Sequence, residues 1–185
     1  MNGTGVLAMG IATGFIVVVG AKAISSESKD GVRVPGGLAL SDFQGYESWQ
    51  LVSISQNGKL IAAILGNPTL IDAYRAGVPG NGQAFPDGAK MAKIHWVPRQ
   101  NTDAPGPPTV PGTLHDVDFM MKDSKRFADS GGWGYAAFDH DAASNPFTPA
   151  TTADKPPQGN DARCGFACHT KAKARDYVFT EYGKR

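Results

Sequence analysis

The chain has 185 residues, with 18 Lys and Arg against 17 Asp and Glu and a 41% hydrophobic content. A net charge of +1 without any block of like charge excludes nucleic acid and other polyanions as partners, which clustered cations hold. With 23 Gly and 13 Pro much of the chain must be turn and loop, yet the length allows one domain with a real core. The first element is the apolar run "GVLAMGIATGFIVVVGAKA", without a charged side chain before Lys22 and ending in a small-x-small pattern at Ala21 to Ala23. Residues 1–23 therefore read as a secretory signal peptide cut after Ala23, or as an uncleaved membrane anchor, since about twenty apolar residues span a bilayer. Either way the rest of the chain is expected outside the cytoplasm, in the periplasm. Residues 24–40 read as a polar leader and 41–185 as the folded domain.

Alternation around Trp49, Leu51 or Val52, and Ile54 predicts a first strand, Asn57-Gly58 a hairpin turn, and "KLIAAIL" a second strand. Asn67 as N-cap and Pro68 at the first helical position open a helix that Gly77 ends. "AKMAKIHWV" reads as a third strand, with Met91, Lys93 and His95 on one face and Ala92, Ile94 and Trp96 on the other. The proline-rich stretch 98–113 reads as a loop, because proline is excluded from interior strands. "LHDVDFMM" predicts a strand, "KDSKRFADS" a short helix ended at Gly131-Gly132, and "WGYAAFDHD" the last strand. A long loop over 142–161 follows, then a final helix opened by a Cys/His motif. The expected fold is α+β, mainly an antiparallel sheet of about five strands with a few helices.

That motif, "RCGFACH", sets Cys164, Cys168 and His169 four and one positions apart. A disulfide would close an awkwardly small loop, and a structural zinc site would lack its fourth ligand. Haem attachment uses all three residues: each thiol bonds a haem vinyl group and His169 ligates iron. The spacing is one residue longer than C-x-x-C-H, and Gly165 gives the loop room to bulge. Spacing alone leaves the three chemistries open. If haem is bound, no Met or His follows His169, so a sixth ligand would come from Met91, Met120, Met121, His95, His115 or His140. The missing downstream ligand favours an empty or water-filled sixth position, where small molecules bind. Arg163, beside Cys164, suits a haem propionate.

"FPDGAKMAKIHW", "KDSKRFADSGGWGYAAF" and "CGFACHTKAKARDYVFTEY", in this order, resemble the cytochrome P-460 family from about Ser41 onward. The resemblance implies a mainly β fold, commonly a homodimer, with one covalent haem c and a pentacoordinate iron. It further implies hydroxylamine oxidation or nitric oxide handling, with electrons passed to a soluble acceptor such as another cytochrome. The family pattern F-x-D-G-x-x-x-x-K places its haem-linked lysine at Lys93, with Lys90 on the opposite strand face. It places a distal carboxylate at Asp118. Read without the resemblance, Lys93 is a solvated surface lysine and Asp118 an outward strand carboxylate between Val117 and Phe119. Two departures weigh on catalysis: the C-x-x-x-C-H spacing, and an Asp one methylene shorter than the expected Glu. Gas binding without turnover, as in the related cytochrome c-prime-beta, and plain electron transfer are the competing expectations. His95 shares the Lys93 face and reaches toward the haem edge, whereas His115 and His140 border loops and read as solvated. Phe119, Phe127, Phe138 and Trp133 read as core, with one or more packing on the porphyrin.

Overall fold

In the computed structural model, residues 31–34, 37–144, 146–150 and 165–184 are described. The predicted signal segment 1–23, Arg163 and Cys164 lie outside them. Six strands form a single antiparallel sheet in chain order: β1 (Gln50–Asn57), β2 (Leu60–Gly66), β3 (Lys90–Gln100), β4 (Thr109–Lys122), β5 (Trp133–His140) and β6 (Phe147–Pro149). Sequential strands pair throughout, β1 and β2 through a tight hairpin and β2 and β3 through the longer connection that carries a helix. At the first turn Gly58 takes φ +57°, a conformation that its missing Cβ permits.

The α+β expectation holds, with three local corrections. β6 falls in the stretch read as a long loop and adds a sixth strand beside β5. The proline-rich stretch is half strand, with β3 running to Gln100 and β4 starting at Thr109 around a loop over 101–108, and Pro98 and Pro111 directly opposite one another. Both lie where β3 and β4 have outrun the paired part of β2, whose pairing with β3 stops at Trp96. A missing N–H costs little at such an edge. "KDSKRFADS" forms turns and only a 3-10 turn at Ala128–Ser130, since the Asp123 carboxylate accepts from the amides of Lys125 and Arg126.

Helix α1 (Pro68–Arg75) starts where its cap predicts, with Asn67 Oδ1 accepting from the Leu70 amide at 3.1 Å. Its buried Leu70, Ile71 and Tyr74 join Val52, Ile64, Met91, Met120, Trp133 and Val178 in a core on one face of the sheet. On the other face Phe43, Ala92, Val117, Phe119, Phe127 and Phe138 pack together. Val34 and Leu38, within the stretch read as leader, are fully buried in that second core. Burying each such aliphatic side chain contributes about 1.5–3 kcal/mol. After β6 the described chain resumes at Gly165 with a short helix α2 (Phe166–His169), continued by a 3-10 segment over Thr170–Arg175. The final residues then return along the first face of the sheet, where Val178 joins the core.

Candidate functional site

Period-two alternation on three neighbouring strands aligns a set of polar side chains in rows across the sheet. Lys93 on β3 stands opposite Asp118 on β4, which stands opposite Ala137 on β5. One row along, His95 faces Asp116 and Asp116 faces Asp139. On the other side Met91, Met120 and Tyr135 form an apolar row. These rows make one wall of a cavity of about 610 Å³, and His169, Val178, Phe179 and Thr180 close it from the C-terminal segment.

His169 is oriented by its own chain. Its Nδ1 lies 2.6 Å from the Tyr177 carbonyl oxygen, which can only accept, so Nδ1 carries the proton and Nε2 is left with a lone pair. Burial pulls its pKa down against that hydrogen bond, and the Lys93 charge lowers it further, so the ring is neutral at pH 7. Its imidazole packs against Tyr135 and Phe179, with ring centres 5.2 and 5.0 Å away. Phe179 is 51% exposed beside the cavity, an apolar surface that a bound group would cover.

The polar wall is electrostatically uneven. Burial, then the neighbouring Asp116 charge, pushes Asp118 up to about 6 despite the opposing charges of His95 and Lys93. Asp116 behaves oppositely: burial pushes it up, but hydrogen bonds and charge from His95 and His115 outweigh burial and hold its carboxyl below the usual range. His95 Nδ1 bonds Asp116 Oδ1, and His115 Nδ1 lies 2.6 Å from Asp116 Oδ2. Two carboxylates side by side thus have separated proton affinities, an arrangement typical of acid–base sites.

The structure brings Lys93, His95, Asp118 and His169 to one cavity. Asp118 is not an outward strand residue, and Lys93 faces the cavity rather than open solvent. Lys90 points the other way, donating to the Asp42 carbonyl over the Phe43 ring. Of the upstream candidates for a sixth ligand, Met91, Met120 and His95 line the cavity, and His115 is half exposed outside it. His140 is only partly exposed: its ring packs on Phe147 and its Nδ1 is out of solvent. Phe119, Phe127 and Phe138 belong to the opposite core, where the Phe119 ring stacks on Phe43 at 4.0 Å. Sequence reading passed over Asp116, Asp139, Tyr135 and Phe179. The first three were legible in principle, since they share the strand parity of Asp118 or align with it across β5.

A cavity of this size lies within the about 300–1,000 Å³ usual for cofactor pockets. Its lining combines an apolar part, with Leu60, Ile64, Met91 and Val178, and the neutral imidazole of His169, whose Nε2 is not bonded among the described residues. That donor set suits a large apolar macrocycle carrying a metal with one nitrogen ligand, and Cys168 directly precedes His169. The polar rows then lie along one side of the space. Among known families, the Cytochrome P460 family matches the chain over residues 43–180. No curated protein matches it.

Proposed function

Since the chain belongs to the cytochrome P460 family, whose members carry covalently bound haem c, we propose that it is an exported mono-haem oxidoreductase acting on hydroxylamine. The observation that carries this reading is Asp118, a carboxyl pushed up to about 6 on the wall of the cavity that also holds a neutral His169. An oxidation that releases protons with its electrons needs a nearby base that is ionised at working pH and still accepts a proton readily.

Under this reading Cys164 and Cys168 carry the two thioether bonds, His169 Nε2 ligates the iron, and Arg163 pairs with a propionate. Bound there, haem c supplies a redox iron that takes electrons from a small nitrogen-oxide substrate and passes them to a soluble acceptor, such as another cytochrome. Asp118 takes the substrate proton. Lys93, opposite Asp118 across the β3–β4 ladder, is the residue proposed to bond the macrocycle, and its position on the cavity wall supports this. The Tyr177 carbonyl keeps His169 in the tautomer that a metal requires. Residues 1–23 export the chain to the periplasm, and homodimerisation is the expected assembly.

A second reading, nitric oxide binding without turnover, is favoured by one feature: Asp118 is a methylene shorter than the family's carboxylate and reaches less far into the cavity. The deciding experiment uses the purified holoprotein beside its Lys93→Ala and Asp118→Asn variants. A ferrous Soret band displaced far to the red in the wild type, and at the ordinary c-type position in Lys93→Ala, supports the cross-link. Hydroxylamine-dependent reduction of a soluble acceptor that falls about 100-fold or more in Asp118→Asn supports the enzyme. Ordinary c-type spectra from both and no turnover leave nitric oxide binding. Protein without haem returns Cys164 and Cys168 to a disulfide.

A further inference from the structure

We propose that His95 determines ligand specificity: its Nε2 accepts a hydrogen bond from the bound small molecule, so the cavity favours ligands that carry N–H or O–H groups over nitric oxide. The proposal rests on the haem-bearing reading above and adds a residue to which that reading gives no role.

The wall around His95 holds one ring nitrogen as an acceptor. His95 Nδ1 is hydrogen-bonded to Asp116 Oδ1. Asp116 is an ionised carboxylate, which only accepts, so the proton of the neutral ring sits on Nδ1. Nε2 then keeps a lone pair, bonds no described residue and is not sealed from solvent. The ring lines the cavity, and its side chain is only 12% exposed. A polar atom in such a place needs a partner, and a molecule bound in the cavity can supply one.

A second imidazole locks the carboxylate. Asp116 Oδ2 lies 2.6 Å from His115 Nδ1, so both of its oxygens are engaged. Adjacent strand residues point to opposite faces, so His115 and Asp116 should not meet. Pairing runs His95 with Asp116 and then Trp96 with Leu114, which leaves His115 as the extra residue of a β-bulge. A bulge re-aims a side chain, and here it turns His115 onto the carboxylate of its own neighbour. A cross-strand His–Asp pair alone would leave the carboxylate free to turn. Held at both oxygens, Asp116 fixes the tautomer and the plane of His95.

The neighbouring row makes that acceptor selective. Asp118 Oδ2 lies 3.9 Å from His95 Nδ1 and lines the same cavity. At pH 8 Asp118, pushed up to about 6, is ionised and accepts as well. Lys93, the cation of this row, is the residue proposed above to bond the macrocycle and so does not fill the His95 acceptor. Hydroxylamine brings hydrogens on both its nitrogen and its oxygen and can satisfy the imidazole and the carboxylate together. Nitric oxide brings none, and its binding leaves the His95 lone pair unpaired in a poorly solvated place, which costs free energy. A site whose polar groups expect a donor discriminates against a ligand that lacks one.

The test is a pair of ligand titrations on the ferric holoprotein at pH 8, anaerobic and without an electron acceptor, followed at the Soret band. Hydroxylamine and nitric oxide are each titrated into the wild type, His95→Leu, His95→Gln and Asp116→Asn. The quantity read is the ratio of the two dissociation constants, which a general disturbance of the cavity moves little because it acts on both ligands. Expected in His95→Leu is a loss of hydroxylamine preference of about 3–10-fold, the range for one hydrogen bond. His95→Gln, whose amide oxygen can accept in place of Nε2, should keep part of the preference. Asp116→Asn should lose part, because an amide nitrogen can donate to Nδ1 and move the ring proton to Nε2. An unchanged ratio in His95→Leu would overturn the assignment, and so would equal losses in both His95 variants with Asp116→Asn unaffected. Asp116→Asn, which keeps the size of the side chain, decides alone should His95→Leu fail to fold. Hydroxylamine turnover is assayed separately. Absent turnover with the ratio shift intact would sink the oxidative reading and leave the His95 assignment standing, whereas intact turnover with an unchanged ratio would sink the assignment alone.

Discussion

Lys122 Nζ lies 2.7 Å from Asp176 Oδ1, and both side chains are about nine-tenths buried or more. Lys122 also donates to the Gly131 carbonyl, and Asp176 Oδ2 accepts from the Phe85 amide at 2.8 Å. Asp176 and Tyr177 both adopt left-handed backbone, at φ +49° and +64°, and Tyr177 presents the carbonyl that orients His169. The ion pair thus pins a strained turn to the sheet and, through it, sets the imidazole.

Breaking that pair from one side leaves a buried charge without its partner. Lys122→Met and Asp176→Ala should each lower unfolding free energy by about 3–5 kcal/mol in urea titrations. The double variant should recover part of the loss, because it strands no charge. Single-variant losses below about 1 kcal/mol would show that the turn is held by something else.

Asn67 joins three elements with one amide group. Its Oδ1 accepts from the amides of Leu70 and Lys90, and its Nδ2 donates to the Gly88 carbonyl at 2.8 Å. Asn67→Ala should destabilise by about 1–2 kcal/mol, at the upper end for an N-cap because β3 loses its tie as well. Asn67→Asp keeps both acceptor bonds and should recover most of that. Hydrogen exchange at the Leu70 and Lys90 amides separates the two contributions, and unchanged exchange at both in Asn67→Ala would refute the cap.

The helix start at Asn67-Pro68, the turn at Gly58 and the central parts of the five long strands were legible because each is a local signal, whereas the proline-bearing ends of β3 and β4 were not. The facing of Lys93 and His95 was legible from parity alone. Asp118 was ambiguous, since a cavity wall and a solvated face share the same alternation, and only the chain returning through Val178–Thr180 distinguishes them. Lys122 shows the limit most plainly: its burial depends on Asp176, 54 residues away. The His115 bulge was illegible because it arises from cross-strand register, which no single strand encodes.

Gly134 lies in the middle of close packing on β5. A Cβ built there would come within 2.4 Å of the Phe127 ring, nearer than any real contact. Gly134→Ala should therefore cost about 1–3 kcal/mol by overpacking. Replacing Phe127 with Leu in the same background should return part of it, since a smaller side chain gives the methyl room. A neutral Gly134→Ala in thermal unfolding would mean that the ring has space to move.

Asp118 makes stability depend on pH with a definite sign. Its carboxyl is displaced upward from 3.8 to about 6. Between those values the folded chain holds more protons than the unfolded one, so stability falls as pH rises through this window and the full penalty is present above pH 6. At full strength the displacement corresponds to ~3 kcal/mol. With the side chain 36% exposed, solvent screening reduces this to about 1 kcal/mol. Asp118→Asn should therefore be more stable than wild type by that amount at pH 7, with the difference vanishing below pH 4. Asp116, held low by its two imidazoles, loses its favourable contribution only in acid, below its ordinary range, and so does not mask the effect. Urea midpoints from pH 3.5 to 8 decide it: a difference that grows toward acid instead would mean that Asp118 is stabilised as a carboxylate, and would remove the base on which the oxidative reading stands.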